Sequence, residues 1–245
     1  MTGGSKGIGR AVVERLAADG LSVFAVGRDS DALADIAQSA ATRGWDVETA
    51  ACDVTDEDAV TTLFERVGPI DVLVPNAGVS ASAPVHRTSL DDWNRHLAVN
   101  ATGVFLTARA ALPAMRERDH GRIVVVASAA ALRGARYISA YAASKHAALG
   151  FVRSLASEVA GSGITANAVC PGYVDSAMTT RSIANISAQT GRGEQDARAV
   201  LERQQPLGRL VEPDEVAAAV AFLASDAAAP INGQTLVLDG GGIQH

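Results

Sequence analysis

Tyr141 and Lys145 are the residues of this chain whose types and spacing best suit proton transfer. They stand four apart in Ser139-Ala140-Tyr141-Ala142-Ala143-Ser144-Lys145, and residues four apart share one helix face, so phenol and ammonium look into one cleft. A tyrosine hydroxyl titrates near ~10, and a neighbouring cation lowers that value by favouring phenolate. Only two lysines, Lys6 and Lys145, occur among the 21 Lys+Arg. Where any cation would serve, the chain writes arginine, so the two lysines mark positions where a compact charge on a flexible stem is needed. With only three tyrosines present, the Tyr-x-x-x-Lys spacing is seldom met by chance. Ser128 stands thirteen residues ahead of Tyr141, at the end of the apolar run Ile123-Val124-Val125-Val126-Ala127.

The elements that must hold these residues follow an alternating pattern. Apolar runs at Leu21 to Val26, Asp46 to Ala51, Asp71 to Val74, Ile123 to Ala127, Ile164 to Val169 and Thr235 to Leu238 suit buried parallel strands. Between them lie helical stretches: Ser30 to Arg43, one announced by Thr55-Asp56-Glu57-Asp58, a long one opened by Ser89-Leu90-Asp91-Asp92, Tyr141 to Val159, and one from near Pro213. The alternation predicts an α/β chain, a doubly wound parallel sheet flanked by helices, in a single domain spanning 1–245. Asn100 falls mid-helix, where its amide competes for backbone groups, so a local kink holding a water is expected there. Residues 176–205 are polar and weakly periodic, which suits a mobile lid over a pocket better than a core element.

Composition bounds the function. At 48% hydrophobic and 20% charged residues, with a formal net charge of -6, the chain is an ordinary globular protein without the basic footprint of a nucleic-acid binder. Two cysteines, Cys52 and Cys170, form no Cys-x-x-Cys pair, and the histidines at 86, 96, 120, 146 and 245 show no metal-ligand spacing, so no metal is expected. No apolar run reads as a membrane span or a signal core, and a cytoplasmic protein is the expectation.

Thr2-Gly3-Gly4-Ser5-Lys6-Gly7-Ile8-Gly9 runs into a helical pattern at Ile8, Ala11, Val12 and Leu16. Glycines before a helix start bring backbone N–H groups against a phosphate. Such a loop should follow a central strand, and only Met1 precedes Thr2. The first strand therefore reads as truncated, with a gap expected in the core and the true start expected upstream. At the end of the second apolar run, Gly27 fills the place of a ribose-binding carboxylate and Arg28 comes next, with Lys6 as a second cation. This favours NADP over NAD, although Asp29 follows directly. Asp53 and Val54, at the next strand's carboxyl end, stand where the adenine would bind.

Together these motifs resemble the short-chain dehydrogenase/reductase family over essentially the whole chain, apart from the first strand. The resemblance implies a Rossmann sheet and a nucleotide loop at Gly3, Ser5, Lys6, Gly7, Ile8 and Gly9. It also implies a cofactor-supporting segment at Asn76, Ala77 and Gly78, and further cofactor contacts at Pro171, Gly172, Val174 and Ser176. The catalytic tetrad maps onto Asn100, Ser128, Tyr141 and Lys145. Ser128 would hydrogen-bond the substrate oxygen, Tyr141 would give the proton, Lys145 would lower the tyrosine pKa and hold the nicotinamide ribose, and Asn100 would fix a water. Two departures stand out: Pro75 replaces a common asparagine, and Ser176 a common threonine.

Within the family the chain is most similar to 3-oxoacyl thioester reductases and polyketide ketoreductases, through Gly163 to Gly172 and Gly208 to Pro213. The expected activity is hydride transfer between NADP(H) and a carbonyl or secondary alcohol. The substrate class is a 3-oxoacyl thioester or similar ketone, possibly carrier-bound, with Arg116, Arg118, Arg133 and Arg136 as cations to meet a carrier's phosphates. A homotetramer is implied. The alternatives are an NAD-dependent alcohol, sugar or steroid dehydrogenase and a non-catalytic dinucleotide sensor.

Overall fold

The computed structural model describes residues 1–244, and His245 lies outside them. Six parallel strands form the sheet: β1 (Val23–Gly27), β2 (Val47–Ala51), β3 (Val72–Leu73), β4 (Gly121–Val126), β5 (Ile164–Pro171) and β6 (Thr235–Leu238). β1 pairs with β2, while β3, β4, β5 and β6 form a second run in that order.

The gap expected between β1 and β3 is partly filled. Thr2 bridges Val26 in parallel register, the Val26 N–H donates to the Met1 carbonyl at 2.9 Å, and the Thr2 N–H donates to the Val74 carbonyl at 3.1 Å. Two residues thus join the halves, in the order β2, β1, Met1–Thr2, β3, β4, β5, β6.

β4 and β5 are buried throughout, as strands covered on both faces must be. Side chains alternate between the faces. Val124 and Val126 join Val12, Val169, Val216 and Val220 in one core, under α1 (Gly7–Ala18) and α9 (Pro213–Ala224). Ile123 and Val125 join Ala166, Leu149 and Val152 in the other, under α5 (Gly103–Arg118) and α6 (Ser139–Glu158).

Side-chain caps start three helices where the sequence signals them: Asp29 accepts from the Ala32 N–H at α2 (Ser30–Arg43), Asp56 from Ala59 at α3 (Glu57–Val67), and Ser89 from Asp92 at α4 (Leu90–Leu97). Between α4 and α5 the chain makes a π-helical turn, Ala98–Thr102. This is the distortion anticipated at Asn100, and such turns often mark functional sites.

One expectation is corrected. The run Leu90–Arg118 is long and apolar enough to span a membrane; the charged residues at its ends hide this in the sequence. Its apolar side chains Val99, Val104, Leu106, Ala108, Ala111 and Met115 are buried in the protein, which accounts for their hydropathy. Residues 176–205 fold as α7 (Ala177–Thr190) and α8 (Glu194–Arg203). Their sparse apolar stripe packs into a separate small core of Ile183, Ala197, Leu201 and Leu210, with Tyr173 and Ile186 against it.

Candidate active site

The carboxyl ends of β1, β3, β4 and β5 converge on one cleft, as the open-sheet rule requires. At its nucleotide end the loop 2–6 leads into α1, whose N-cap Lys6 makes no side-chain cap and whose first turn carries no acid. The N–H groups of that turn are left for an anion. Gly3, at φ +62°, passes so close to its neighbours that an added Cβ would lie 2.9 Å from Asn76 Nδ2, and a Cβ at Gly9 would lie 1.9 Å from the Gly3 carbonyl oxygen. Asn76 holds the loop in place: its side-chain amide donates to the carbonyls of Thr2 (3.0 Å) and Gly3 (3.2 Å), while its N–H and that of Ala77 donate to Thr2 Oγ1. Ser5 is buried beside Gly27, and Ile8 lies within α1.

The cations anticipated for a 2′-phosphate are present and exposed. Lys6 pairs with Asp29, and Arg28 reaches Asp53 at 3.4 Å. Asp29 holds Lys6 with one oxygen and the Ala32 N–H with the other. Asp53 also accepts from the N–H and hydroxyl of Thr55 at 3.0 and 2.8 Å. Val54 is buried against Gly103, where a side chain would collide with it at 2.7 Å.

Across the loop, Ser176 stands at the N-cap of α7 with its hydroxyl unused for capping. Gly7 faces it, an added Cβ there lying 3.5 Å from Ser176 Cβ. Pro171 closes β5, the Gly172 N–H donates to the Leu238 carbonyl, and Val174 bridges Val211. This geometry fits a dinucleotide: a glycine cradle, an open helix start, two cations and the Ser176 hydroxyl lie around the loop that opens α1.

The reacting end is built on β4 and α6. Ser128 follows β4, accepts from the Ala130 N–H at 3.1 Å and has the Tyr141 phenol beside it for its own hydrogen. Lys145 is buried, with Nζ donating to the Val126 carbonyl at 3.0 Å and 6.0 Å from the Tyr141 ring centre. Burial lowers the Lys145 ammonium to about 8. The Tyr141 phenol moves up, because burial outweighs the opposing hydrogen bond of Ser128. The lowering of Tyr141 expected from Lys145 is therefore not supplied by the protein's own groups.

Asn100 is fully buried and heavily committed. Its Oδ1 accepts from the Val79 N–H at 2.8 Å, and its Nδ2 donates to the Val79 carbonyl and to Ser144 Oγ, both at 2.9 Å. It lies beside Lys145: a Cβ on Gly78 would stand 3.3 Å from Asn100 Oδ1 and 3.7 Å from Lys145 Nζ. Only one Oδ1 lone pair remains for a water.

Sequence reasoning overlooked Ser144, whose hydroxyl relays Asn100 to the Tyr141 carbonyl at 2.7 Å; its place between Tyr141 and Lys145 was the available signal. It also overlooked the contact between Asn185 Nδ2 of α7 and Ser82 Oγ, at 2.7 Å, across the cleft.

Residues 3–242 match the family model described as enoyl-(acyl carrier protein) reductase. The chain is 37% identical to the 3-oxoacyl-(acyl-carrier-protein) reductase of Escherichia coli (strain K12), over 98% of this chain and 95% of that one. The chain belongs to the short-chain dehydrogenase/reductase family. It is also 39% identical to the cis-4-hydroxycyclohexanecarboxylate dehydrogenase of Sinomonas cyclohexanicum, over 98% and 94% of the two chains. A crystal structure of a single-substitution variant of actinorhodin polyketide ketoreductase with NADPH superposes at a TM-score of 0.93 with 35% identity, covering 99% and 96%. As a short-chain dehydrogenase/reductase the protein is an oxidoreductase of CH–OH and carbonyl groups.

Proposed function

We propose that this protein uses NADP(H) to interconvert a ketone and a secondary alcohol, acting on a 3-oxoacyl thioester or a ketone of similar shape. The observation that carries the reading is the meeting of Ser128, Tyr141, Lys145 and Asn100 in one cleft beside the glycine cradle. NADPH, when bound, supplies the hydride. Ser128 offers its hydroxyl hydrogen to the substrate oxygen as negative charge builds there, and Tyr141 donates the proton that quenches it. The raised phenol keeps Tyr141 protonated for that role. Lys145, with one hydrogen on Val126, has two left for the ribose hydroxyls and the phenol. Asn100 holds Val79 and Ser144 in register and keeps one lone pair for a water leading to Lys145.

The preference for NADP is supported by the charges around Asp29. One Asp29 oxygen holds Lys6 and the other caps α2, and the exposed cations Lys6 and Arg28, each on a surface ion pair that a 2′-phosphate would compete for, supply charge of the right sign at this end of the loop.

For a carrier-bound substrate, Arg116 and Arg118 lose their appeal because they pair with Glu158 and Asp71. Arg133, exposed and bonded among the described residues only to the Gly242 carbonyl at 3.2 Å, and exposed Arg136 are the cations that remain. The helices α7 and α8 serve as the lid. A cytoplasmic homotetramer is the assembly we assign, with exposed Phe105 on α5 stacked edge-on against Phe151 of α6 as a contact face.

The test is NADPH and NADH oxidation with a panel of ketones and acyl thioesters. Faster turnover with NADPH and at least one 3-oxoacyl thioester among the good substrates is expected; exclusive use of NADH, or no carbonyl turnover, overturns the reading.

A further inference from the structure

We propose that His96 is a positioning residue that fixes the extended segment 79–83 between the catalytic tyrosine and the lid; the inference rests on the carbonyl-reductase reading of the cleft. The imidazole is 1% exposed, and both nitrogens are committed. The Ala81 N–H donates to Nε2 at 3.0 Å, which requires Nε2 to be unprotonated. Nδ1 then carries the hydrogen and donates it to the Asp92 carbonyl at 2.6 Å. One neutral tautomer satisfies both bonds, and with both nitrogens occupied the ring has no site left for proton exchange with a substrate.

Its neighbours give the position meaning. His96 and Asn100 stand four apart on one helical face, and they grip the facing segment two residues apart, Asn100 at Val79 and His96 at Ala81. The Ala83 N–H completes the series by donating to the Tyr137 carbonyl at 2.8 Å. Alternate residues of an extended run point the same way, so 79, 81 and 83 are tied down as a set. Ser82, of opposite parity, bonds Asn185 of the lid. The His96 ring also meets the Tyr141 ring edge-on, with centres 6.4 Å apart at 77°. One imidazole thus sets both the wall the substrate meets and the ring that gives the proton. An apolar side chain would fill the same space and leave the Ala81 N–H without its imidazole acceptor.

The test compares wild type with His96→Gln, His96→Asn and His96→Leu in the full chain. The Gln amide oxygen reaches the place of Nε2, whereas Asn reaches only the place of Nδ1. Amide exchange at Ala81 should stay protected in His96→Gln and quicken by about 10-fold in the Asn and Leu variants, the loss of one hydrogen bond. KM for the ketone should rise by about 10-fold in those two, with NADPH KM unchanged, a smaller fall in kcat, and recovery in Gln. Equal behaviour of Gln and Asn, or unchanged ketone KM despite lost Ala81 protection, overturns the proposal. A wild-type protein that reduces no carbonyl while Ala81 stays protected instead overturns the reading of the cleft, and this role with it. If His96→Leu does not fold, the Gln and Asn pair decides.

Discussion

At the scale of single residues, Tyr141 and Lys145 hold opposite ends of one electrostatic problem. Burial raises the phenol and lowers the ammonium, so each is biased toward its neutral form. Tyr141→Phe removes the proton donor without disturbing the glycine cradle. A fall in kcat of at least about 100-fold is expected, with NADPH affinity by fluorescence titration changed little; retained turnover would reject the assignment. Lys145 makes a second, purely thermodynamic prediction. Its folded value of about 8 lies below the ordinary 10.5, so between those two pH values the unfolded chain binds more protons than the native one. The contribution of this group to stability therefore rises as pH climbs through that window. The difference in unfolding free energy between wild type and Lys145→Met should grow in favour of wild type from pH 7 to 10, by on the order of 3 kcal/mol at full extent. Taking the difference cancels the titrations of Cys52 and Tyr141, which rise in both proteins, and leaves those of Lys145 and of Cys170, which the Lys145 charge lowers. A flat difference in denaturant titrations would show that Lys145 is not desolvated.

At the scale of elements, the glycine cradle is the least tolerant part of the structure. An added methyl at Gly9 would overlap the Gly3 carbonyl at 1.9 Å, and the whole of α1 would have to move to relieve it. Gly9→Ala should weaken NADPH binding by about 10-fold or more while leaving the far-ultraviolet circular dichroism near that of wild type; unchanged affinity would show that the loop does not hold the coenzyme. The central strands β1, β4 and β5 were legible because buried parallel strands are written as continuous apolar runs, and α3 and α4 because Asp56 and Ser89 announce them. Residues 176–205 were not legible as helix, since α7 and α8 bury few residues, and those meet Tyr173 and Leu210 rather than the main core. His96 and Ser144 were hidden for another reason. Their importance comes from partners far away in sequence, Ala81 and Asn100, which no local pattern exposes. The apolar character of Leu90–Arg118 is that of a central helix in a protein core.

At the scale of the whole molecule, coenzyme and fold are linked through mass action. NADPH at about 100 times its Kd should add about 2.7 kcal/mol of stability, a rise in Tm of about 5 to 10 °C for a chain of this size. NADH at equal concentration should add less, and a larger shift with NADH in thermal melts would reverse the assignment of the phosphate-binding cations. Sedimentation equilibrium checks the tetramer, with a monomer as the outcome that removes it.

The junction in the sheet carries one more consequence. β1 and β2 meet the remaining strands through a weld of Met1, Thr2 and the Asn76 amide and through the core that Val23 and Ala25 share with Val124 and Val126. A dinucleotide lying from Arg28 to Lys145 would cross that weld and act as a splint. Before it binds, amides in β1 and β2 should exchange well ahead of those in β4 and β5; afterwards the two halves should open together.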